Sequence, residues 1–494
     1  MALFILGLVM LAAGYALYGR LVEKIIAPDD RETPAVSLRD GVDFVALPHW
    51  KNMLIQLLNI AGVGPVIGVI IGIKFGEIVF LIIPVGNIIA GATHDFLAGM
   101  MSMRGGGANL PRIVRENLGK EYSKIFSLFT LLLLLLVVTV FINIPANLID
   151  KIFADANLFW YAVAAIFAYY VAATLFPVDK IIGKFYPIFG AMLLVGTIAI
   201  FVSIICMSAA NPALLDEGEI FKTMKWAAAN GHPIIPLLFV TIACGIISGF
   251  HATQSPIIAR TMKSERQAKS SFYGMMVVEG FIAMVWAAAG MAVYNAMPEL
   301  FSENPNAVLI EITTFFLGKY VGVITVVAVI ILAVTSGDTA MRSVRLSFAE
   351  MINFSQKKFQ NRLAVCAPFI IIVALMLTWS QADAQSFNNL WNYFAWGNQV
   401  LAASTLLAGA VWLFRQRKNG FIAVIPGLFM CFIVLSYILW ISPRHGGPVG
   451  FGMDLGDSYW LAAALSLLVG VIVMSRSGLM AKREGLLRRR RKNK

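Results

Sequence analysis

Long apolar runs constrain this chain more than any other feature of its sequence. A helix that crosses a bilayer needs about 20 largely apolar residues. The segments that meet this requirement number thirteen and are centred on residues 2–20, 52–74, 77–103, 124–147, 158–178, 185–210, 233–259, 271–297, 320–341, 363–380, 387–414, 419–441 and 458–475. They predict an all-α polytopic membrane protein with about 13 transmembrane helices.

The composition excludes several classes of protein. Of the 494 residues, 59% are hydrophobic and 13% are charged, whereas a soluble protein has about 25% charged residues. Soluble, disordered and nucleic-acid-binding classes are therefore excluded. The largest gaps between the apolar runs, residues 21–51, 104–123 and 211–232, leave no room for a sizeable soluble domain. The four cysteines lie inside apolar runs, so no disulfide framework is expected.

The basic residues set the predicted orientation. With the N-terminus outside, 33 of the 39 Lys and Arg residues fall on the cytoplasmic side of the membrane and six fall outside. This asymmetry follows the positive-inside rule and predicts a cytoplasmic C-terminus. The basic tail, residues 476–494, is then expected to lie against the anionic inner leaflet, and no nucleic-acid partner is expected.

Two spans carry clusters of helix-breaking residues. Residues 62–68 place three glycines and a proline near the centre of the second span. Residues 244–256 place two glycines, a proline and five polar side chains in the seventh span. Such clusters are typical of irregular backbone that lines a cavity, although each cluster alone is equally typical of close packing between helices.

The spacing of the two clusters is more informative than either one. They lie five spans apart, in helices of opposite direction, as in secondary transporters built from inverted five-helix repeats. The predicted organisation is an accessory helix and loop, a first repeat, a second repeat, two accessory helices and a basic tail, at residues 1–51, 52–210, 233–414, 419–475 and 476–494 respectively. A transporter is therefore favoured over a channel.

Four of the ionisable residues inside apolar spans, where charge is costly, are candidates for a role in coupling. They are His94 and Asp95 in the third span, His251 in the seventh and Glu279 in the eighth. Histidine titrates near physiological pH, so these residues are candidates for proton coupling. Buried hydrogen bonds with a purely structural role are the alternative for each of them.

The ninth span contains hydroxyl groups next to a carboxylate, at Thr335, Ser336 and Asp338. Hard cations prefer oxygen ligands, so these residues are candidates for sodium binding. Asp338 and Arg342 are also spaced to pair along one helix, which is the structural alternative for the carboxylate.

Candidate substrate-binding residues lie at the two breaks and in the eleventh span. They are Gly62, Gly64, Ser248, Gly249, His251, Thr253, Gln254, Asn398 and Gln399. The amides of half-helix N-termini suit an anionic group, whereas the polar face of the eleventh span is equally suited to hydrogen bonding between helices. The sequence contains neither a zinc-protease helix nor a phosphate-binding loop, so no enzyme, metal site or ATP drive is expected.

Several segments together resemble the carbon starvation protein A family of bacterial transporters. They are Asp40–Phe44, Ala61–Pro65, Gly245–His251, Thr335–Arg342 and Gly397–Ala403, in family order. The resemblance implies a leucine-transporter-type fold and uptake of small nutrients when preferred carbon is scarce. It further implies peptide uptake or proton-coupled pyruvate import, and a sodium site made by Thr335, Ser336 and the backbone of residues 61–64.

The resulting expectation is a secondary active importer in the bacterial inner membrane. Its substrate is a pyruvate-like carboxylate, an amino acid or a short peptide, and its driving force is a proton or sodium gradient. The coupling ion and the lipid bilayer are the other expected partners, with no cofactor. A nutrient sensor that signals through a partner is the alternative, and a channel is the third possibility.

Overall fold

A computed structural model describes residues 1–153, 157–175, 178–215, 231–302, 305–381 and 384–492. Every regular element in these ranges is a helix. The main helices are α1 (Ala2–Ile26), α2 (His49–Ile60), α3 (64–78), α4 (79–104), α5 (Leu110–Leu118), α6 (Lys120–Ile152), α7 (Phe159–Leu175), α8 (Val178–Ala210), α9 (234–246), α10 (Gly249–Ala259), α11 (Glu265–Ala296), α12 (Pro305–Met351), α13 (Phe359–Ser380), α14 (Ala384–Arg415), α15 (Phe421–Trp440) and α16 (Leu455–Lys492). Short helical turns lie at Pro34–Ser37, Pro212–Leu215, Pro298–Ser302 and Pro443–His445.

The described residues include ten helices that are long and apolar enough to cross a membrane. The predicted all-α polytopic class is confirmed. One of the ten, Gly64–Arg104, combines α3 and α4. The predicted span 158–178 corresponds to the shorter apolar helix α7, of 17 residues, and the predicted span 233–259 is divided between α9 and α10. The count of thirteen, the repeat boundaries and the orientation in the membrane stay predictions.

Both predicted breaks are present in the backbone. Helix α2 ends at Ile60, and the next residue, Ala61, has a ψ of 59°, which is not helical. Helix α3 begins at Gly64 and Pro65. Helices α9 and α10 are separated by Ile247 and Ser248, which both have extended backbone angles. Proline lacks the amide that would continue the first helix, so the sequence accounts directly for this interruption.

The glycines at the first break also allow close packing. Gly64, Gly68 and Gly72 lie four residues apart, on one face of α3, and we call them the glycine seam. A Cβ atom added at Gly64 would lie 2.3 Å from the Cβ of Cys244, and one at Gly68 would lie 2.9 Å from the carbonyl oxygen of Thr241. Residues of α9 therefore touch the backbone of α3 directly, as in other membrane helices that associate through small residues. The broken helix and the close packing, posed as alternatives from sequence, occur together.

Candidate functional site

Four buried ionisable residues form a continuous chain of contacts. His94 Nδ1 lies 2.8 Å from Asp95 Oδ1, and Asp95 Oδ2 lies 3.2 Å from His251 Nδ1. His251 Nε2 lies 3.7 Å from Glu279 Oε2. All four side chains are at most 1% exposed. The four residues predicted as proton-coupling candidates, which lie in three separate spans, thus meet at one place, and we call them the ionisable chain.

The ionisable chain joins the two broken helices. His251 lies in the first turn of α10, directly after the break, and its main-chain N–H donates to the carbonyl oxygen of Ser248 at 3.1 Å. Helix α2, whose last residue is Ile60, packs against α10. The ionisable chain therefore lies beside both breaks.

Alternating imidazole and carboxylate groups can pass a proton along the chain. Each imidazole has two ring nitrogens, so His251 contacts Asp95 with one and Glu279 with the other. Charges interact more strongly in a low-dielectric interior than in water. Gain or loss of one proton must therefore be compensated by a nearby charge or by a change of structure.

Polar groups of α14 hold the second broken helix in place. Asn398 Oδ1 accepts a hydrogen bond from the main-chain N–H of Phe250 at 3.2 Å, which satisfies one amide at the start of α10. Gln399 Nε2 donates to the carbonyl oxygen of Phe239 in α9 at 2.6 Å. A Cβ atom added at Gly249 would lie 2.3 Å from the carbonyl oxygen of Asn398. The two α14 side chains thus provide the interhelical hydrogen bonds that were one of their two predicted roles.

Thr253 and Gln254, also predicted for the substrate site, contact α12. Gln254 Nε2 donates to the hydroxyl groups of Thr253, at 2.9 Å, and Ser343, at 3.3 Å. The hydroxyl of Ser343 in turn donates to the carbonyl oxygen of Thr253 at 3.0 Å. Three buried polar atoms here, Gln254 Oε1, Asn398 Nδ2 and Gln399 Oε1, have no hydrogen-bond partner among the described residues.

The hydroxyl groups of α12 reach the first break. Ser336 Oγ donates to the carbonyl oxygen of Leu58, in the last turn of α2, at 2.8 Å. A Cβ atom added at Gly62 would lie 3.4 Å from the same hydroxyl oxygen. Thr335 Oγ1 donates to the carbonyl oxygen of Leu332 within its own helix, at 2.9 Å. The structure thus brings the hydroxyl of Ser336 next to the backbone segment predicted to bind sodium.

Asp338 contacts a tyrosine of another helix. Its Oδ2 accepts a hydrogen bond of 2.5 Å from the hydroxyl of Tyr169 in α7. Arg342, its predicted partner along the helix, pairs with Asp43 at 3.1 Å. The tyrosine was not among the residues found from sequence, because α7 is a plain apolar helix in which one aromatic residue carries no distinctive signal.

Sequence reasoning also missed three buried amides. The Nδ2 atom of Asn87 donates to the carbonyl oxygens of Met276, at 2.9 Å, and Gly245, at 3.3 Å. Gln56 and Asn59 lie in α2, immediately before the first break, and both are fully buried. The spacing of polar residues along residues 49–60 is the signal that would have found the last two. In the described part of the chain, no group of three or more His, Cys, Asp or Glu side chains is arranged to hold a metal ion.

Comparison with known families identifies the chain. Residues 1–168, 148–323 and 306–437 match the sequence profile of the family described as carbon starvation protein CstA. The chain belongs to this family. A Haemophilus influenzae protein described as an uncharacterized membrane protein is 39% identical over 348 residues, which cover 60% of this chain and 90% of that relative.

Relatives with a functional name are more distant. The peptide transporter CstA of Mycobacterium tuberculosis is 27% identical over 338 residues, and that of Bacillus subtilis is 25% identical over 364 residues. These alignments cover 55% and 59% of this chain. This chain spans 44% of the length of the Mycobacterium tuberculosis relative and 59% of the length of the Bacillus subtilis relative.

Solved transporter structures share the fold. A mutant of the manganese transporter of Eremococcus coleocola superposes with a TM-score of 0.57 at 16% identity, covering 90% of this chain and 99% of that one. MhsT in complex with L-phenylalanine gives a TM-score of 0.59 at 12% identity, covering 87% and 99%. The predicted leucine-transporter-type fold class is confirmed. Family and fold together support a multi-pass membrane transporter.

Proposed function

We propose that this CstA-family protein is a secondary active importer that couples uptake of a small nutrient to the proton gradient. The observation that carries the proposal is the ionisable chain at the breaks of the two discontinuous helices. Ionisable side chains inside a membrane protein mark ion and proton pathways. Here they also touch the two segments whose irregular backbone is suited to binding a substrate.

The proposed substrate carries a carboxylate, as do pyruvate, amino acids and short peptides. The amides at the start of α10 and the backbone of Gly62 and Gly64 would receive that group. The unbonded polar atoms of Gln254, Asn398 and Gln399, together with Ser248 and Thr253, would hold the rest of the solute. Relatives named as peptide transporters favour a peptide, and the family description favours a role in carbon starvation.

Sodium coupling is the second candidate, because one specific contact favours it. The hydroxyl of Ser336 lies against the last turn of α2, where Thr335 and main-chain carbonyls would complete a set of oxygen ligands. In both versions the protein lies in the bacterial inner membrane with its N-terminus outside, and its cofactor is the coupling ion alone. A nutrient sensor that binds the solute without transporting it is the remaining alternative.

Uptake by reconstituted protein tests the proposal. Labelled pyruvate, alanine and dialanine would be offered to proteoliposomes under an imposed pH gradient or an imposed sodium gradient, each without the other. We expect one solute to accumulate above its outside concentration under the pH gradient only. Accumulation under the sodium gradient alone would show that sodium is the coupling ion instead of the proton. Saturable binding without accumulation would support the sensor.

A histidine variant connects the result to the site. His251→Gln keeps a polar side chain of similar length but cannot be protonated, so we expect it to abolish accumulation under the pH gradient. His445→Gln is the matched control, because His445 lies in an exposed turn next to Ser442 and Trp440. Accumulation by the His251 variant equal to that of the control would remove His251 from the coupling mechanism.

A further inference from the structure

Helix α2 carries a strip of polar side chains on an otherwise largely apolar surface. The strip consists of His49, Asn52, Gln56 and Asn59, separated by three, four and three residues. Residues at this spacing lie on one face of an α-helix. The strip runs from the beginning of α2, which is the cytoplasmic end in the predicted topology, to the last turn before the first break.

Contacts at both ends show what the strip faces. His49 Nε2 lies 3.0 Å from the hydroxyl of Ser270, near the start of α11. Asn52 accepts a hydrogen bond of 2.8 Å from the hydroxyl of Thr261, just beyond the end of α10. At the other end, the strip stops one residue before the first break, and α2 packs along α10, which carries His251 of the ionisable chain. The strip therefore faces α10 and α11, and its middle lies between Thr261 and the ionisable chain.

The two middle residues have no hydrogen-bond partner in the described part of the protein. Gln56 and Asn59 are fully buried, and none of their four side-chain nitrogen and oxygen atoms is hydrogen-bonded there. Asn52, one turn away on the same face, has both its amide atoms bonded to Thr261. Buried amides are almost always satisfied by protein or by ordered water. Two unsatisfied amides in consecutive turns therefore point to a partner from outside the chain.

We propose that the polar strip on α2 is the route along which protons pass between the ionisable chain and the side of the membrane on which His49 lies. Gln56 and Asn59 bind the water molecules of this route, since an amide both donates and accepts hydrogen bonds without ionising. His49 is the titratable residue at the other end of the route, which is the cytoplasmic end in the predicted topology. This inference rests on the proposed proton coupling and adds the path by which the proton leaves.

The test separates proton movement from substrate binding. Gln56→Leu, Asn59→Leu and the double variant would be compared with Thr139→Val. Thr139 is a buried residue of α6 whose hydroxyl bonds the carbonyl oxygen of Leu135 in its own helix. Exchange of labelled for unlabelled substrate at equal pH requires binding and reorientation but no net proton movement. Accumulation under a pH gradient, with a pH-sensitive dye inside the vesicles, reports net proton entry.

We expect the double variant to retain exchange. Its rates of proton entry and of substrate accumulation should fall at least about tenfold, which is the effect of losing one hydrogen bond from the proton route. Gln56→His should show much more proton entry than Gln56→Leu, because the imidazole again donates and accepts hydrogen bonds. Normal proton entry in the double variant would overturn the inference alone. Loss of exchange as well would overturn it in favour of a substrate-binding role. Failure of the unaltered protein to use the pH gradient would overturn the proposed function itself.

A second measurement does not depend on transport activity. Gln56→Cys and Leu57→Cys place a thiol at neighbouring positions that are both buried, of which only the first lies on the strip. The two proteins would be treated in proteoliposomes with a small hydrophilic thiol reagent, and the adduct located by mass spectrometry. We expect modification at residue 56 and none at residue 57. Equal modification, or none at either position, would show that water does not follow the strip.

Discussion

Replacing Asp43 with asparagine removes a carboxylate that pairs with two buried arginines. Asp43 Oδ1 lies 3.1 Å from both Arg342 Nη1 and Arg345 Nη2, and the side chains of the two arginines are at most 1% exposed. Removal of one partner from a buried ion pair costs about 3–5 kcal/mol, because the remaining charge is left uncompensated. We therefore expect Asp43→Asn to lower the free energy of unfolding by about this amount.

The loop that precedes α2 is shaped to present Asp43. The carboxylate of Asp40 accepts hydrogen bonds from the main-chain N–H groups of Val42, Asp43 and Phe44 at 2.8, 3.0 and 2.9 Å. The ring of Phe44 packs under the guanidinium of Arg260, 5.1 Å away. The Asp40–Phe44 segment thus connects the loop to α12 and to the end of α10. This role gives a physical reason for a motif that was first noted as a family resemblance.

The assay is chemical unfolding in detergent, with Asp30→Asn as the matched control. Asp30 pairs with Arg266 at 2.7 Å, but the two side chains are 76% and 61% exposed. Exposed ion pairs contribute about 0–1 kcal/mol. If Asp43→Asn and Asp30→Asn lower the free energy of unfolding equally, the argument from burial is wrong.

The same carboxylate predicts a dependence on pH. Burial raises the pKa of Asp43, but the charges of Arg345 and Arg342 lower it more, so the pKa lies below its usual value. A lowered pKa contributes stability that is fully present above the unfolded-state pKa, about 3.9, and is lost as the pH falls through the folded-state value. The stability difference between the native protein and Asp43→Asn should be constant near neutral pH and shrink only below about pH 4. A difference that shrinks between pH 8 and pH 6 would contradict this assignment.

Two further predictions concern the packing of the helices. Gly64→Ala forces a methyl group against Cys244 and should destabilise the protein by about 1–3 kcal/mol. Gly456→Ala is the control and should cost much less, because no atom lies within 4 Å of the added Cβ. Thermal unfolding of the two variants measures the difference. Tyr169→Phe removes the hydrogen bond to Asp338 and should cost about 1–3 kcal/mol. This loss should vanish in the background of Asp338→Ala, which removes the acceptor, if the hydroxyl acts only through that side chain, and a double-mutant cycle measures the difference.

Hydropathy and local chemistry were sufficient to predict part of this molecule. The apolar runs gave the helical class, because a segment inside a bilayer must satisfy its backbone hydrogen bonds internally. The glycine and proline clusters located both breaks, since these residues act on the backbone where they stand. The members of the ionisable chain were recognisable one by one, because charge inside an apolar span is rare.

Contacts between distant parts of the chain were beyond the sequence. The pairing of Asp43 with Arg342 joins residues 299 positions apart, and no local pattern indicates it. Gln56 and Asn59 were passed over because uncharged amides inside a span commonly serve only to bond one helix to another. The sequence also left Asn398 and Gln399 of α14 with two possible roles, in substrate binding and in hydrogen bonding between helices. The orientation of each side chain in the folded protein shows which hydrogen bonds it makes.

The glycine seam has a mechanical consequence for the proposed importer, which would expose its site alternately to each side of the membrane. Residues of α9 rest on the bare backbone of α3 at Gly64, Gly68 and Gly72, with Cys244, Thr241 and Ile242 as the touching residues. Two helices in such contact cannot slide past each other without collision, so we expect α3 and α9 to turn as one rigid body. We then expect the larger displacements in the other halves of the two broken helices, α2 and α10, with the glycine seam as their pivot.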